Sequence, residues 1–179
     1  MYIIEKAKFC YIANARTGSQ AVRDALLNQT EAELIGSHHT TPDDHPDIEI
    51  GPDWTVCSTV RNHFDAMISW YFKIERTPKA MAPLDVFLPR FCGNNPNFVK
   101  DGRLWWHGES YVNTFLRYEW LEADLNQALV KVGLNPVDLP RVTDSKRGGQ
   151  PYQVFYKKAT ARWVGSYFAA EIAKLGYKF

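Results

Sequence analysis

The feature that most constrains this chain of 179 residues is a strand pattern that passes directly into a helix pattern, and it occurs twice. Lys8–Ala13 is a short apolar run, and apolar residues at helical spacing follow it over Ala21–Asn28. Trp54–Val60 is rich in β-branched residues, and an amphipathic helix pattern follows it from Phe64. Because parallel strands need crossover connections, this alternation predicts an α/β fold with a central parallel sheet flanked by helices. Ligands of such sheets bind at the carboxyl ends of the strands.

The remaining patterns extend this prediction along the chain. Ala32–Ile35 and Val112–Tyr118 are further strand candidates. Apolar spacing predicts a helix over Leu121–Val132 and a last helix over Val164–Leu175, which Gly176 is placed to end. The length favours one domain over residues 1–179.

Composition excludes several functional classes. Lys and Arg number 21 against 20 Asp and Glu, so the chain lacks the basic excess of a nucleic-acid-binding protein. No apolar stretch approaches the ~18 residues of a membrane span, which argues against a membrane partner. The three cysteines lack the spacing of a disulfide framework or a zinc ribbon, and Cys10 and Cys57 lie in apolar runs typical of buried positions. The start of the sequence lacks a signal-peptide layout, so we expect a cytoplasmic protein.

The first strand-to-helix turn, N-A-R-T-G-S, has the composition of an anion site. A helix start offers N–H groups and a partial positive charge to an anion. Gly18 permits close backbone approach, Ser19 adds a hydroxyl donor, and Arg16 adds a planar cation. Neither G-x-x-x-x-G-K-[ST] nor G-x-G-x-x-G is present, which disfavours a P-loop kinase. An ordinary turn with a surface arginine is the structural alternative.

The second turn combines a cation and a hydroxyl. Arg61 stands where the strand pattern ends, and Ser69 falls in the early turns of the helix. Asn62 or Asp65 is placed to cap that helix. The turn is therefore predicted to bring a guanidinium and a hydroxyl near one ligand group, and a capped helix with an exposed arginine is the alternative.

Together the two turns resemble the sulfotransferases that use 3′-phosphoadenylyl sulfate (PAPS). The run N-A-R-T-G-S corresponds to that family's first motif, P-K-[ST]-G-[TG]-T. The run VRNHFDAMISWY is similar to the second motif, V-R-N-P-x-D-x-x-x-S-x-Y. The matching positions of the second motif are Val60, Arg61, Asn62, Asp65, Ser69 and Tyr71.

The resemblance extends over almost the whole chain. FLRYEWLEADL resembles the family's R-Y-E-D-L segment, LPRVTDSKRGG the segment before its C-terminal helix, and YFAAEIAKLGYKF its tail. Three positions depart from the motifs: Arg16 stands where the family usually has Lys, Gln20 replaces a frequent Thr, and His63 replaces Pro.

The resemblance implies a P-loop NTPase-like sulfotransferase architecture and transfer of a sulfuryl group from PAPS to a hydroxyl acceptor. It implies adenosine 3′,5′-bisphosphate (PAP) as product and no metal. Arg16 is then catalytic, because charge develops on the leaving 5′-phosphate. The nucleotide-binding residues implied are Arg16, Thr17, Gly18, Ser19, Gln20, Arg61, Ser69, Lys146, Arg147 and Gly148.

The acceptor hydroxyl needs a general base, and histidine is the usual choice. His38 and His39 follow the predicted strand Ala32–Ile35. Related carbohydrate sulfotransferases carry a base after this strand, and we favour His39 over His38. His107, beside two tryptophans, is next in line. His63 is expected to cap the helix or to contact phosphate. A metal site is the alternative for the histidine-rich loop, but its ligand types lack a recognised spacing; these are His38, His39, Asp43, Asp44 and His45.

The acceptor is expected to be a small molecule, a carbohydrate or a peptide. The motifs do not distinguish these three classes. The stretch predicted to build its pocket is Pro78–Trp106. A second hypothesis keeps the fold and the nucleotide but not the reaction: a non-catalytic module that binds 3′-phosphoadenosine nucleotides. The Arg at position 16 motivates it, since the family's Lys also assists departure of the leaving group.

Overall fold

The computed structural model describes residues 1–74, 82–95, 112–140 and 147–179. These residues form an α/β structure with a five-stranded sheet. The chain divides into two compact units, Met1–Val60 with Asp101–Val142 and Arg61–Lys100 with Thr143–Phe179. A single domain over residues 1–179 stays a prediction.

The strands all lie in the first unit, in the order β3-β1-β2-β4-β5 across the sheet. They are β1 (Tyr2–Ile4), β2 (Phe9–Ile12), β3 (Glu33–Leu34), β4 (Thr55–Val60) and β5 (Thr114–Arg117). The described α-helices are α1 (Ser19–Gln29), α2 (His63–Ile74), α3 (Leu84–Asn94), α4 (Leu121–Lys131), α5 (Lys158–Tyr167) and α6 (Ala169–Leu175).

The sheet is mixed, which corrects the prediction of a parallel sheet. β2 pairs in parallel with β4, and β4 with β5, as the strand-to-helix alternation predicted. β1, however, is antiparallel to both β2 and β3. Only the short 3₁₀ turn Glu5–Ala7 and Lys8, with a φ of 49°, connect β1 to β2. So short a connection joins antiparallel strands, because a parallel crossover needs a dozen residues or more.

The core of the first unit forms where the sheet packs against α1 and α4. Tyr2 and Phe9 are fully buried, as are Leu26 of α1, Leu116 of β5 and Leu125 of α4. β2 and β4 are buried along their whole length, which is typical of the central strands of a covered sheet.

The second unit is built from α2, α3, α5 and α6 around an aromatic core. Phe64, Met67 and Phe87 are buried there with Val164 and Phe168. The single last helix predicted over Val164–Leu175 is interrupted at Phe168, which has φ −107° and ψ 26° and is fully buried. α6 then ends at Gly176, whose φ of 70° supplies the left-handed cap.

Cys10 and Cys57 are fully buried, so their interpretation as small core residues is confirmed. Within residues 1–74, 82–95, 112–140 and 147–179, no helix is both long and apolar enough to cross a membrane.

Candidate functional site

The turn between β2 and α1 has a strained, closely packed backbone. Arg16 and Gly18 both have left-handed φ values, 65° and 80°. A Cβ on Gly18 would lie 2.8 Å from Leu121 Cδ2 and 3.3 Å from the Tyr118 ring. Glycine is therefore required twice at this position, for its φ and for the space it leaves. The left-handed φ of Arg16 costs energy in a non-glycine residue and is held by the surrounding turn.

Two hydrogen bonds anchor this turn. Thr17 is buried, and its Oγ1 donates to the Asn14 carbonyl oxygen at 2.9 Å. Asn14 Nδ2 donates to the Thr59 carbonyl oxygen of β4 at 3.3 Å. The turn is thus tied to the sheet on one side, and α1 begins directly after Gly18 on the other. The first backbone N–H groups of an α-helix have no carbonyl partner within the helix, so at this turn they can donate to an anion.

The Ser19 hydroxyl belongs to a hydrogen-bonded chain of three side chains, Tyr2, His38 and Ser19, which the motifs did not predict. Ser19 is buried, and its Oγ lies 3.2 Å from His38 Nε2. His38 Nδ1 lies 2.5 Å from the Tyr2 hydroxyl. Burial, with the neighbouring His39 and Arg23, lowers the pKa of His38 to about 4, so its ring is neutral at pH 7. Burial likewise raises the pKa of Tyr2 to about 12.

His39 is held differently from its neighbour. It is exposed, and its Nδ1 lies 2.9 Å from the Ala13 carbonyl oxygen. A carbonyl oxygen only accepts, so His39 Nδ1 carries the hydrogen and donates. In the neutral ring the lone pair is then on Nε2, the state a general base requires. The His38 and His39 rings lie 4.5 Å apart between centroids.

The acidic part of the histidine-rich loop serves a local structural purpose. Asp44 Oδ2 accepts hydrogen bonds from the Thr41 backbone N–H at 2.8 Å and from Thr41 Oγ1 at 3.0 Å. This is the capping box of the short 3₁₀ helix Pro42–Asp44. In the part of the chain that the structure describes, no group of three or more His, Cys, Asp or Glu side chains is placed to hold a metal ion.

In the second unit, two arginines meet on one carboxylate. Arg61 Nε and Nη2 lie 2.8 and 2.7 Å from Asp65 Oδ2. Arg147 Nη1 donates to the other oxygen, Asp65 Oδ1. The side chains of Arg61 and Asp65 are only 8% and 9% exposed, so both are removed from bulk water. Two guanidiniums therefore share the two oxygens of one carboxylate. We call Arg61, Asp65 and Arg147 the arginine cluster.

The start of α2 settles which residue caps it. The Phe64 backbone N–H donates to Asn62 Oδ1 at 3.1 Å, and the helix begins at His63. Of the two capping alternatives, Asn62 is therefore correct and Asp65 is wrong, because Asp65 lies inside the helix and pairs with the arginines. Ser69 lies one helical turn after Asp65 on the same face of α2 and is half-buried.

Asn62 also connects distant parts of the second unit. Its Nδ2 donates to the Lys178 carbonyl oxygen at 2.8 Å and to the Tyr152 hydroxyl at 3.1 Å. Tyr156 donates its hydroxyl to the Phe64 carbonyl oxygen at 2.8 Å. The start of α2 is therefore held from several sides, which fixes the backbone that carries Arg61 and Asp65.

Arg147 begins a turn whose next two residues, Gly148 and Gly149, have φ values of 64° and 75°. A Cβ on either glycine would meet nothing within 4 Å, so the backbone conformation and not the space calls for glycine here. Lys146 lies outside the described residues, as do His107 and its two neighbouring tryptophans.

His63, which stands where the second motif has Pro, lies against the aromatic core of the second unit. Its ring packs on Phe168 at 4.8 Å between centroids, and its buried Nδ1 has no hydrogen-bond partner among the described residues. Burial lowers the pKa of His63 to about 4, so the ring is neutral at pH 7. The expectation that it caps the helix is wrong, since Asn62 does so, and the expectation that it contacts phosphate stays a prediction.

Two residues of the candidate sites, Tyr2 and Asp65, were not predicted from the sequence in the roles that the structure gives them. Tyr2 lies 36 positions from His38, and no motif marks it. Asp65 was within the second motif but was interpreted as a cap; the signal in its favour was its i,i+4 spacing from Arg61.

The chain was also compared with known proteins. No protein-family model matches it, and a search of curated proteins gives no significant match.

Proposed function

We propose that this chain is a sulfotransferase that transfers a sulfuryl group from PAPS to a hydroxyl acceptor, on a P-loop NTPase-like α/β architecture. The observation that carries the proposal is the arginine cluster. The resemblance assigns Arg61 and Arg147 to one phosphate, although 86 positions separate them in the sequence. Both guanidiniums contact the same carboxylate, Asp65, in the second unit.

The cluster suits a 3′-phosphate. A phosphate dianion accepts charge-assisted hydrogen bonds, and Arg offers a planar fork of donors for them. Asp65 holds one face of each guanidinium and offsets one of the two positive charges. Two guanidiniums held on one carboxylate offer paired donor groups to an anionic ligand group. Ser69, one turn farther along α2, is the hydroxyl that the resemblance adds to this set.

The β2–α1 turn suits the 5′-phosphate, from which the sulfuryl group departs. Ser19 and the first N–H groups of α1 are neutral donors, and Arg16 is the charged one. The left-handed backbone at Arg16 and Gly18 shapes the turn in advance of any ligand. Donors that need no rearrangement are worth most where charge develops in the transition state.

The reaction balances with these residues. The acceptor oxygen attacks sulfur in line, the bond between sulfur and the bridging oxygen of the 5′-phosphate breaks, and PAP leaves with the negative charge. His39 Nε2 takes the acceptor proton, since its Nδ1 is committed to the Ala13 carbonyl. We assign the base to His39, because its Nδ1 donates to the Ala13 carbonyl and its Nε2 is therefore the unprotonated nitrogen of the neutral ring.

Two measurements test this proposal. In calorimetry, the wild type is expected to bind PAP more tightly than AMP by at least about 2 kcal/mol, the scale of one or two charged hydrogen bonds. With labelled PAPS, it is expected to transfer sulfuryl to at least one hydroxyl acceptor among phenols, sugars and peptides. Equal affinity for PAP and AMP contradicts the proposal. Selective PAP binding, with neither transfer nor slow hydrolysis of PAPS, supports the non-catalytic binding module instead.

A further inference from the structure

The structure contains a hydrogen-bonded chain that starts on the antiparallel strand β1, outside every motif. Tyr2 of β1 contacts His38 Nδ1 at 2.5 Å, and His38 Nε2 contacts Ser19 Oγ at 3.2 Å. The chain therefore ends at the first residue of α1, inside the anion-binding turn. One imidazole connects two hydroxyl groups, so the position of its single proton decides the direction of both hydrogen bonds.

The Tyr2 end of the chain determines that direction. A phenol is a stronger acid than a neutral imidazole N–H, and an unprotonated imidazole nitrogen is a stronger base than a phenol oxygen. Tyr2 therefore donates its hydrogen to His38 Nδ1. The imidazole proton is then on Nε2, and His38 donates it to Ser19 Oγ.

The fold holds this arrangement from both sides. Tyr2 is fully buried and is paired with Tyr11 across β1 and β2 and with Leu34 across β1 and β3. The Tyr2 and His38 rings are in edge contact, with centroids 5.7 Å apart. Burial keeps both groups neutral at pH 7, so neither the phenol nor the imidazole changes its charge in the physiological range.

We infer that Tyr2 and His38 are positioning residues that turn the Ser19 hydroxyl into a hydrogen-bond donor toward the anion in the β2–α1 turn. Ser19 Oγ accepts from His38, and its own hydrogen is then directed to the ligand. In the opposite arrangement, Ser19 would donate to His38 and present only lone pairs to an anion, which is repulsive. The identity of the anion as the 5′-phosphate of PAP rests on the proposed function, whereas the direction of the chain does not.

The direction is measured without any ligand. Long-range ¹H–¹⁵N correlation spectra of the full chain at neutral pH distinguish the two imidazole tautomers, and His38→Gln assigns the signals. We expect the His38 proton on Nε2 and an unprotonated Nδ1. A proton on Nδ1 overturns the inference, whatever the protein binds.

The effect on binding is measured with two probes, PAP and adenosine 3′-phosphate. Tyr2→Phe is expected to weaken PAP binding by about five- to tenfold, the effect of one lost hydrogen bond, and to leave adenosine 3′-phosphate unchanged. Combining Tyr2→Phe with Ser19→Ala is expected to weaken PAP binding no further than Ser19→Ala alone, because Tyr2 acts through Ser19.

Tyr11→Phe is the matched control. Tyr11 is as buried as Tyr2 and pairs with it in the sheet, but its hydroxyl contacts Thr59 Oγ1 at 2.8 Å and not His38. Equal losses in Tyr2→Phe and Tyr11→Phe, or an equal loss for both nucleotides, overturn the positioning role. Failure of the wild type to bind PAP overturns the proposed function, and the tautomer measurement still decides the direction of the chain.

Discussion

The two candidate anion sites use opposite means. In the first unit, the β2–α1 turn relies on backbone shape and on the neutral groups of Tyr2, His38 and Ser19. In the second unit, the arginine cluster relies on ion pairs between two guanidiniums and one buried carboxylate. Removing one neutral donor lowers the free energy of unfolding only a little, whereas removing the carboxylate of a buried ionic cluster lowers it strongly. The comparison therefore predicts where substitutions cost stability and where they cost activity.

The largest effect is expected from the carboxylate of the arginine cluster. Asp65→Asn keeps the shape but removes the carboxylate that pairs with both the buried Arg61 and the partly buried Arg147, so we expect a loss of about 3–5 kcal/mol in the free energy of unfolding. Denaturant titration measures it. Asp124→Asn is the matched control, because its partner Arg117 is 57% exposed and solvent screens the pair. A loss in Asp65→Asn no greater than in the control would show that the cluster is not a structural unit.

The next effect concerns His63 and pH. Its pKa lies near 4 in the fold and at 6.5 in the unfolded chain, so the unfolded state binds the proton first as the pH falls. Stability is therefore fully present above pH 6.5 and falls toward pH 4, by on the order of 3 kcal/mol. His63→Pro removes the titrating ring and puts at the first helical position the residue favoured there. Thermal melts across this range are expected to show a shallower pH dependence in His63→Pro, and an unchanged slope contradicts the assignment.

Arg16 is the one charged donor in the otherwise neutral turn. If it stabilises the leaving 5′-phosphate, Arg16→Ala is expected to lower turnover of labelled PAPS by about a hundredfold or more. Arg162→Ala, an exposed arginine of α5, is the control and is expected to keep wild-type turnover. Unchanged turnover in folded Arg16→Ala protein excludes this role.

The two histidines of the loop are expected to have different roles in the first unit. His39→Ala is expected to lower kcat by about a hundredfold, the lower range for a general base, with PAP affinity nearly intact. His38→Ala is expected to weaken PAP binding by removing the partner of Ser19. The reverse pattern, a large kcat effect only in His38→Ala, would exchange the two assignments.

The smallest effect is a change in selectivity in the arginine cluster. Arg61→Ala is expected to erase most of the preference for PAP over AMP, at least about 2 kcal/mol, with little change in AMP affinity. Calorimetry on both nucleotides measures it, with Arg162→Ala as the control. A preference that survives the substitution would move 3′-phosphate recognition away from Arg61.

The features that could be predicted from the amino-acid sequence are local. Strand patterns at Lys8–Ala13 and Trp54–Val60 correspond to β2 and β4, and the helix patterns after them to α1 and α2. The glycine demanded by the β2–α1 turn was also visible in the sequence. These features depend on side-chain periodicity and on backbone sterics within a few residues, so a single segment carries the information.

The remaining features depend on contacts between segments that are distant in the sequence. A sequence pattern of period two does not state a strand's direction, so β1 became antiparallel only through its short connection to β2. The contact of Tyr2 with His38 spans 36 positions and that of Asp65 with Arg147 spans 82. Both depend on which surfaces the folded chain brings together, and that is a global balance of burial and chain entropy that no local pattern encodes.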